Sequence, residues 1–461
     1  MTNISDIQLQ IKNTSARAVV ENSIKLAKAN SEYNALLNLT EERALLRADK
    51  IDAGLIGGRL AGVPFVVKDN FLAFGAPTTA ASKMLETFNT PLQATAVEKL
   101  EAEGAICIGK ANLDAFAHGG STENSAFGPT KNAIDQTKVA GGSSGGSAVV
   151  TALDIVPFAL GTDTGGSIRQ PASFNGVVGV KPTYGTVSRY GVVAMANSTD
   201  TIGVLTSAVA DAELVMSIMS GEDERDMTTL PDFFKIEPCA KSNQNIGLIK
   251  DFMAEGVDPE VRASINKYVD KLRADGHTVT EVDLPMVEYA LAIYYIIVPA
   301  EISSNLARYD GIRYGSRAGG IKTLAELYGQ TRDQGFVTEN KRRIMIGSYV
   351  LSSGFFDAYY LQAQKARTLL INEFNELFKT YDALIGPVAP TTAFNLGENT
   401  TDPVKMYLND IMTVPASLVG LPAISVPVGV SSLGMPIGVQ IIGPRQSDAS
   451  LLALAKSEEL K

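Results

Sequence analysis

The sequence predicts an α/β protein, because segments with the apolar spacing of helices alternate with short apolar runs typical of buried strands. The chain has 461 residues, of which 45% are hydrophobic and 20% charged, a composition that is typical of globular proteins and excludes a disordered one. Its length exceeds that of a typical domain. We nevertheless expect one continuous domain, because the sequence contains no repeat, no low-complexity tract and no clear linker.

The first half of the chain supplies most of the predicted elements. Residues 1–58 have helical spacing with charged faces, and this segment is predicted to end in the glycine-rich stretch 54–58. Strands and helices are then expected to alternate in the order strand GVPFVVKDN (62–70), helix ATAVEKLEAEGA (94–105), strand ICIGKANL (106–113), helix SAVVTALD (147–154) and strand VPFALGTDT (156–164). Such a rhythm favours a layered architecture in which helices pack on a sheet.

The second half contains a further predicted strand–helix–strand unit. IGLIKD (246–251) and TVTEVDL (278–284) have strand patterns, and DPEVRASINKYVDKLRADG (258–276) between them has the pattern of an amphipathic helix. Residues from about 210 to 245 are more polar. We expect them to form an excursion between the two halves of the chain.

Charge and cysteine content restrict the classes of function. The formal net charge of −10 argues against nucleic acid as a direct, extended ligand, because phosphate backbones require clustered Lys and Arg. Cys107 and Cys239 have neither the spacing of metal ligands nor a disulfide framework, which fits a reduced setting. The N terminus lacks the features of a signal peptide, and apolar runs such as 291–300 are too short to span a bilayer. We therefore expect a soluble, cytoplasmic protein without a membrane partner.

Two glycine- and serine-rich loops carry the strongest chemical signal. They are VAGGSSGGSA (139–148) and ALGTDTGGSIRQP (159–171), separated by one predicted helix and one predicted strand. Glycine is needed where the backbone adopts a positive φ or approaches a ligand closely, so these loops could place serines and free N–H groups together. A tight turn or a phosphate-binding nest would explain a single loop of this kind equally well.

The scarcity of histidine limits how such a serine could be activated. Residues 141–145 satisfy G-x-S-x-G with Ser143 in the nucleophile position, but that mechanism requires a histidine base. The chain offers only His118 and His277, and neither has a sequence context that indicates a base. A neutral lysine is the recognised alternative, and Lys68 leaves an apolar strand directly into a polar turn. The residues alone leave the choice between Ser143 and Ser167 open, and the G-x-S-x-G match favours Ser143.

Taken together, GVPFVVKDN, GGSSGGSA and GTDTGGSIRQP resemble the amidase signature family. Similar stretches run from about residue 60 to residue 445. The resemblance implies an α/β amidase-signature fold, with a large mixed central β-sheet covered by helices on both faces. It further implies a single amidase domain over 1–461, composed of a helical segment (1–58), a signature core (59–205) and a remainder with the glutamine pocket (206–461).

The resemblance also implies a Ser–cis-Ser–Lys triad and removes the ambiguity between the two serines. Carried over position by position, Ser167 is the nucleophile, Ser143 is the bridging serine after a cis peptide bond, and Lys68 is the base. The oxyanion hole would consist of the backbone N–H groups of four consecutive residues, Thr164, Gly165, Gly166 and Ser167.

Two charged residues flank the same loop. Asp163 precedes it and Arg169 follows it in the sequence. We expect these two side chains to form an ion pair that supports the loop.

Within the family, the chain is most similar to the glutamine-hydrolysing subunits of tRNA-dependent amidotransferases. This similarity implies that Arg343 and Asp410 bind glutamine, with Tyr294 nearby. It implies no metal and no cofactor in this chain, because ATP and Mg would be used by a partner subunit. The expected assembly is a heterotrimer with B and C subunits, and aminoacyl-tRNA would be bound only through that complex.

Three residues depart from the pattern of this branch. Ala115 replaces a usual Glu, Gly120 a usual Ser and Ala140 a usual Pro. None of them is a triad position, but the first two are expected to line the approach to the site.

Two other functions are compatible with the same fold. One is a stand-alone amidase that acts on another small amide, and the other is a catalytically inactive scaffold that only binds partners. The intact Lys68, Ser143 and Ser167 argue against the scaffold. Arg343 and Asp410 argue against a generic amidase, because many of its substrates lack an amino-acid end.

Overall fold

The computed structural model describes residues 2–237 and 241–458, and in these residues eleven strands form one mixed sheet. The strands are β1 (Leu36–Leu39), β2 (Pro64–Lys68), β3 (Ile106–Ala111), β4 (Phe158–Asp163), β5 (Val178–Lys181), β6 (Thr201–Thr206), β7 (Asn245–Ile249), β8 (Thr278–Val282), β9 (Ala383–Pro387), β10 (Ala423–Val430) and β11 (Pro436–Ile442). Their order across the sheet is β1-β3-β2-β4-β6-β5-β10-β11-β9-β7-β8.

Helices account for most of the remaining regular structure. They are α1 (Ile4–Asn13), α2 (Ala16–Ala29), α3 (Glu41–Asp52), α4 (Thr95–Ala102), α5 (Gly145–Ala152), α6 (Arg169–Asn175), α7 (Val209–Met219), α8 (Pro259–Ala274), α9 (Val287–Asn305), α10 (Leu324–Gly335), α11 (Thr338–Val350), α12 (Leu361–Leu377), α13 (Pro403–Leu408), α14 (Val414–Val419) and α15 (Asp448–Ser457).

The sheet contains two parallel groups joined by antiparallel strands. The strands β3, β2 and β4 form the first group, and β9, β7 and β8 form the second. Between the groups, β6, β5, β10 and β11 pair antiparallel with their neighbours. Because β2 and β4 are adjacent and parallel, their carboxyl ends meet at one edge of the sheet, where Lys68 and Asp163 are the last residues of their strands.

Helices cover both faces of this sheet. Successive residues of β2 point to opposite faces, as strand geometry requires. Phe65 and Val67 join a buried cluster with residues of α4, α7 and α9, whereas Val66 joins a separate cluster with residues of α2, α3 and α5. All five residues of β2 are buried, which explains why its sequence reads as a continuous apolar run.

The structure confirms the mixed sheet and the predicted order of the main elements. The unit β7–α8–β8 is a parallel strand–helix–strand unit, and α8 begins where the Asp258 side chain accepts a hydrogen bond from the N–H of Glu260 at 2.8 Å. The prediction for 1–58 is wrong at one place, because β1 interrupts the helices and pairs antiparallel with β3. Its LLNL sequence is too short for periodicity to separate a strand from a helix.

The polar stretch 210–245 is more ordered than its composition indicated. Helix α7 takes up its first part and buries Val215 and Met216. Residues 221–237 contain no helix or strand, whereas 238–240, including Cys239, lie outside the described residues. Cys107 is a free, buried thiol.

The helix that contains the apolar run 291–300 is longer than the sequence indicated. Residues Val287–Arg308 form a 22-residue helical stretch that is long and apolar enough, by length and composition alone, to cross a membrane. More than half of its apolar window (56%) is buried inside the protein. The helix therefore extends beyond the apolar run that the sequence indicated, and it packs as a core helix.

Helices α9 and α11 approach each other unusually closely at Gly347. A Cβ atom on Gly347 would lie 1.8 Å from the carbonyl oxygen of Pro299 in α9, so a side chain at this position has no room. Both helices contribute to the candidate site, because α9 contains Tyr294 and α11 contains Arg343.

We expect Gly347→Ala to lower the free energy of unfolding by about 1–3 kcal/mol, because the added methyl group forces α9 and α11 apart. Chemical denaturation of the purified variant measures this change. Gly329→Ala is the matched control, since Gly329 lies inside α10 with no atom within 4 Å of an added Cβ. The control should be neutral or gain up to about 1 kcal/mol from higher helix propensity. Equal denaturation midpoints for Gly347→Ala and Gly329→Ala would contradict the close contact between α9 and α11.

Candidate active site

Lys68 is the buried centre of the candidate site. Its side chain has no exposed surface, and its Nζ atom lies 2.7 Å from Ser143 Oγ, 2.9 Å from Ser144 Oγ and 2.9 Å from Thr162 Oγ1. Thr162 comes from β4, which runs parallel to β2 in the sheet. The structure therefore brings Lys68 and Ser143, two residues that the sequence singled out, into direct hydrogen-bond contact.

Burial changes the protonation of this lysine. It lowers the pKa of Lys68 to about 7, because a charged ammonium group is unfavourable away from water, and the negative charges of Asp114, Asp163 and Asp200 only partly oppose the shift. A lysine with such a pKa is unprotonated in a large fraction of molecules at neutral pH. It can then accept a proton from a hydroxyl group.

The two serine loops meet through their backbones. The peptide bond between Gly142 and Ser143 is cis, as the family resemblance implied. The carbonyl oxygen of Ser167 accepts a hydrogen bond of 3.1 Å from the N–H of Ser144. In the described part of the chain the Ser167 hydroxyl has no hydrogen-bond partner, so it does not contact Ser143 directly. The Ser167 hydroxyl is therefore unengaged within the described residues, in a loop that meets the Ser143 loop through the backbone.

The backbone N–H groups of the second loop do not all behave as predicted. Gly166 has a φ of +140°, and its N–H donates to Asp163 Oδ1 at 2.8 Å. The prediction that this group forms part of an oxyanion hole is therefore wrong for the observed arrangement. Over residues 2–237 and 241–458, the N–H groups of Thr164, Gly165 and Ser167 have no acceptor within the chain. These three remain available to a substrate oxygen.

A buried ion pair fixes the same loop, as the sequence predicted. Asp163 and Arg169 are both fully buried, with Arg169 Nη2 2.9 Å from Asp163 Oδ1 and Nε 3.0 Å from Oδ2. Burial alone would raise the pKa of Asp163, but the charge and hydrogen bonds of Arg169 outweigh it and hold the pKa at about 2. Arg169 also donates to the Thr413 carbonyl and to Ser417 Oγ, at 3.0 and 2.8 Å, and contacts Gln440.

Two of the three predicted glutamine residues, Arg343 and Asp410, line a cavity that Gly120, Tyr295 and Tyr407 also line. Arg343 is 3% exposed, and Asp410 is half-buried with no hydrogen-bond partner for its carboxylate among the described residues. Burial raises the pKa of Asp410 to about 7, although Arg343 opposes that shift.

This cavity is linked to the serine loop by Thr413. Its N–H donates to the Asp410 carbonyl at 3.0 Å, and its hydroxyl donates to the Gly165 carbonyl at 2.6 Å. The ring of Tyr294 packs over Gly165, since a Cβ added there would lie 2.8 Å from the ring. Tyr294 therefore lies against the serine loop, whereas its neighbour Tyr295 lines the cavity.

Both histidines have hydrogen-bond partners other than the two serines. The Nδ1 atom of His118 lies 2.8 Å from Asn340 Nδ2, and Nδ1 of His277 accepts from the N–H of Gln244 at 3.2 Å. Within the described residues, neither histidine forms a hydrogen bond with Ser143 or Ser167. This arrangement is consistent with the sequence-based expectation that neither histidine is the base.

Similarity to known proteins identifies the family of the chain. A model of the Amidase family matches residues 18–452. The chain belongs to this family. Among its relatives, the A subunit of the glutamyl-tRNA(Gln) amidotransferase of Thermosynechococcus vestitus is 49% identical over 98% of this chain and 96% of its own length. The A subunit of the same enzyme from Lacticaseibacillus casei is 49% identical over 99% of this chain and 96% of its own length.

Solved structures give the same assignment. The crystal structure of the glutamyl-tRNA(Gln) amidotransferase A subunit from Thermotoga maritima has a TM-score of 0.81 and 39% identity, covering 98% of this chain and 93% of that one. A crystal structure described as an amidase has a TM-score of 0.84 and 32% identity, covering 99% of this chain and 98% of that one. The amidase fold is thus shared along almost the whole chain.

Several residues of this amidase site were not singled out from the sequence. Ser144 and Thr162 contact Lys68, and Glu339 contacts Arg343. Glu339 and Arg343 are four residues apart in a helical segment, and this spacing alone would have predicted that their side chains contact each other. No group of three His, Cys, Asp or Glu that could hold a metal ion occurs in the described residues.

We expect Arg169→Ala to destabilise the protein by about 3–5 kcal/mol, because it leaves the buried Asp163 carboxylate without its partner. The shift of the chemical denaturation midpoint measures the loss. Arg17→Ala is the control, since Arg17 pairs with Asp49 at the surface, and its midpoint should stay close to that of the parent protein. Similar midpoints for both variants would show that the buried pair does not stabilise the loop.

Proposed function

We propose that the chain is the glutaminase subunit of a tRNA-dependent amidotransferase, and that it hydrolyses glutamine through an acyl-enzyme on Ser167. The observation that carries the proposal is the buried Lys68–Ser143 contact beside the free Ser167 hydroxyl. A sequence identity of 49% over 98–99% of the chain to two amidotransferase A subunits supports the same function.

The catalytic step follows from the protonation of Lys68. Neutral Lys68 accepts a proton from Ser143, which accepts one from Ser167 as the Ser167 oxygen attacks the side-chain amide carbon of glutamine. The C–N bond then breaks, the proton returns through Ser143 to the leaving nitrogen, and ammonia departs. Water finally hydrolyses the glutamyl ester on Ser167 and releases glutamate.

The free backbone groups of the serine loop have a role in this step. The N–H groups of Thr164, Gly165 and Ser167 would stabilise the negative charge that develops on the amide oxygen. The ion pair of Asp163 and Arg169 holds that loop in place without contacting the substrate. The proposal therefore retains three of the four donors that the family resemblance implied.

The glutamine cavity has one cation and one anion, which suits a free amino acid. Arg343 would bind the α-carboxylate, since guanidinium groups bind carboxylates through two parallel hydrogen bonds. Asp410 would bind the α-ammonium group, because its carboxylate has no donor within the described residues. Tyr294 lies against Gly165 of the serine loop, so it would contact the substrate from the side of that loop.

The assignment also implies an assembly. We infer that B and C subunits form a heterotrimer with this chain, and that the ammonia passes to the B subunit. That partner would use ATP and Mg to amidate Glu-tRNA(Gln), Asp-tRNA(Asn) or both. A net charge of −10 is consistent with a protein that binds tRNA only through its partners, and the cytoplasm is the expected location.

Replacing the nucleophile tests the proposal. We expect Ser167→Ala, in the complex with B and C subunits, to abolish both ammonia release from glutamine and covalent labelling by an electrophilic glutamine analogue. Ser147→Ala is the control, since Ser147 Oγ only donates to the Leu160 carbonyl, and it should be labelled normally. Labelling that survives in Ser167→Ala would identify a different nucleophile. If the parent complex hydrolyses other small amides better than glutamine, that result would favour a stand-alone amidase.

The pH dependence tests the role of the lysine. Because the base must be unprotonated, we expect kcat for glutamine hydrolysis to fall about tenfold per pH unit below a pH of about 7, and to level off above it. Saturating glutamine isolates this effect from the titration of Asp410, which acts on binding. A kcat that stays constant between about pH 5 and 8 would contradict Lys68 as the base.

A further inference from the structure

Glu339 holds a central position beside the glutamine cavity, although it was not among the predicted site residues. It lies one helical turn before Arg343 in α11 and is 6% exposed. Its Oε1 atom accepts hydrogen bonds from Arg343 Nε at 2.8 Å and from the Tyr407 hydroxyl at 2.9 Å. Its Oε2 atom contacts Arg342. The carboxylate is thus the shared acceptor of three side chains.

The contact with Arg343 determines which edge of the guanidinium group faces the cavity. The Nε atom is engaged by Glu339, while within the described residues the two terminal nitrogens have no acceptor. The aromatic rings of Tyr295 and Tyr407 stack at 3.9 Å, and each lies within 5.5 Å of the Arg343 guanidinium carbon. An incoming carboxylate can therefore form paired hydrogen bonds only through the edge that carries both terminal nitrogens.

The contact with Tyr407 links Glu339 to the anionic side of the cavity. Tyr407 lies in α13, and its carbonyl oxygen accepts a hydrogen bond of 3.1 Å from the N–H of Asp410. The Asp410 carboxylate itself has no partner among residues 2–237 and 241–458. Glu339 is therefore connected by one hydrogen bond to the cation of the cavity, and through Tyr407 to its anion.

We propose that Glu339 is a positioning residue that fixes the separation and orientation of Arg343 and Asp410, and thereby sets the selectivity for amides that carry a free α-amino acid end. The inference rests on the proposed function, because it assumes that Arg343 and Asp410 bind glutamine. Glu339 lines the same cavity, but its carboxylate is already engaged by Arg343, Tyr407 and Arg342, so we assign it a role that acts through these side chains.

The structure argues against a merely local role for this residue. A surface i,i+4 ion pair would leave both partners exposed and add little. Here the pair is buried, and a third partner, Tyr407, comes from a segment more than 60 residues away. A buried carboxylate that accepts hydrogen bonds from both Arg343 and a distant tyrosine fixes the relative positions of these two side chains.

Substrate analogues separate positioning from general damage. In the complex, Glu339→Met should lower kcat/KM for glutamine about 10- to 100-fold through KM, because a misplaced Arg343 loses its paired contact with the α-carboxylate. 4-Aminobutanamide lacks that carboxylate and responds only through the Tyr407–Asp410 side of the cavity, so its turnover, or its inhibition constant against glutamine, should change by no more than about three- to tenfold, which is less than the loss for glutamine. Glu339→Gln keeps an oxygen acceptor and should recover most of the glutamine affinity. Glu376→Met, at an exposed position, is the matched control and should behave as the parent.

The second arm of the experiment tests the link to Asp410. Tyr407→Phe keeps the ring stacking but removes the hydroxyl, so it should weaken 4-aminobutanamide and glutamine alike, by about three- to tenfold. Equal losses for both compounds in Glu339→Met, or no loss for glutamine, would overturn the inference. Arg343→Ala tests the glutamine pocket separately from the positioning role of Glu339. If the KM for glutamine is unchanged in Arg343→Ala, the proposed pocket itself is refuted. If the KM is raised in Arg343→Ala but unchanged in Glu339→Met, only the positioning role is refuted.

Discussion

The buried contact between Lys68 and Ser143 is the constraint on which the rest of the site depends. An ammonium group without exposed surface is unfavourable unless oxygen atoms surround it, and β2 and β4 must run side by side to supply Thr162. The cost of burial is not fully offset, and this remaining penalty lowers the pKa of Lys68 to about 7, which the proposed role as a base requires. The same packing that stabilises the centre of the sheet thus prepares its chemistry.

The serine loop depends on residues from the far end of the chain. Arg169 reaches Thr413 and Ser417, which lie more than 240 positions later, and Thr413 in turn donates to the carbonyl of Gly165. Only glycine fits at position 166, because a Cβ there would lie 2.1 Å from Thr413 Oγ1. The loop is therefore shaped by packing from the second half of the chain as much as by its own sequence.

The sequence indicated the residue types of the candidate site more completely than it indicated their hydrogen bonds and the pairing of the strands. The scarcity of histidine and the contexts of the two histidines argued against a Ser-His-Asp site, and the apolar run before Lys68 correctly indicated a buried strand. The engagement of Gly166 by Asp163 was not visible, because a backbone hydrogen bond to a neighbouring side chain leaves no trace in residue spacing. The short β1, and which strands of the mixed sheet pair antiparallel, were not predicted for a related reason, since strand pairing is a long-range property.

The raised pKa of Asp410 has a thermodynamic consequence for the proposed glutamine complex. Burial keeps this carboxyl protonated in about half of the free molecules near neutral pH, whereas an α-ammonium group beside it favours the ionised form. Binding glutamine would then expel a proton into the solvent. The affinity for the amino acid becomes linked to the acidity of the surroundings, so that the same cavity holds its ligand more weakly as the medium becomes more acidic.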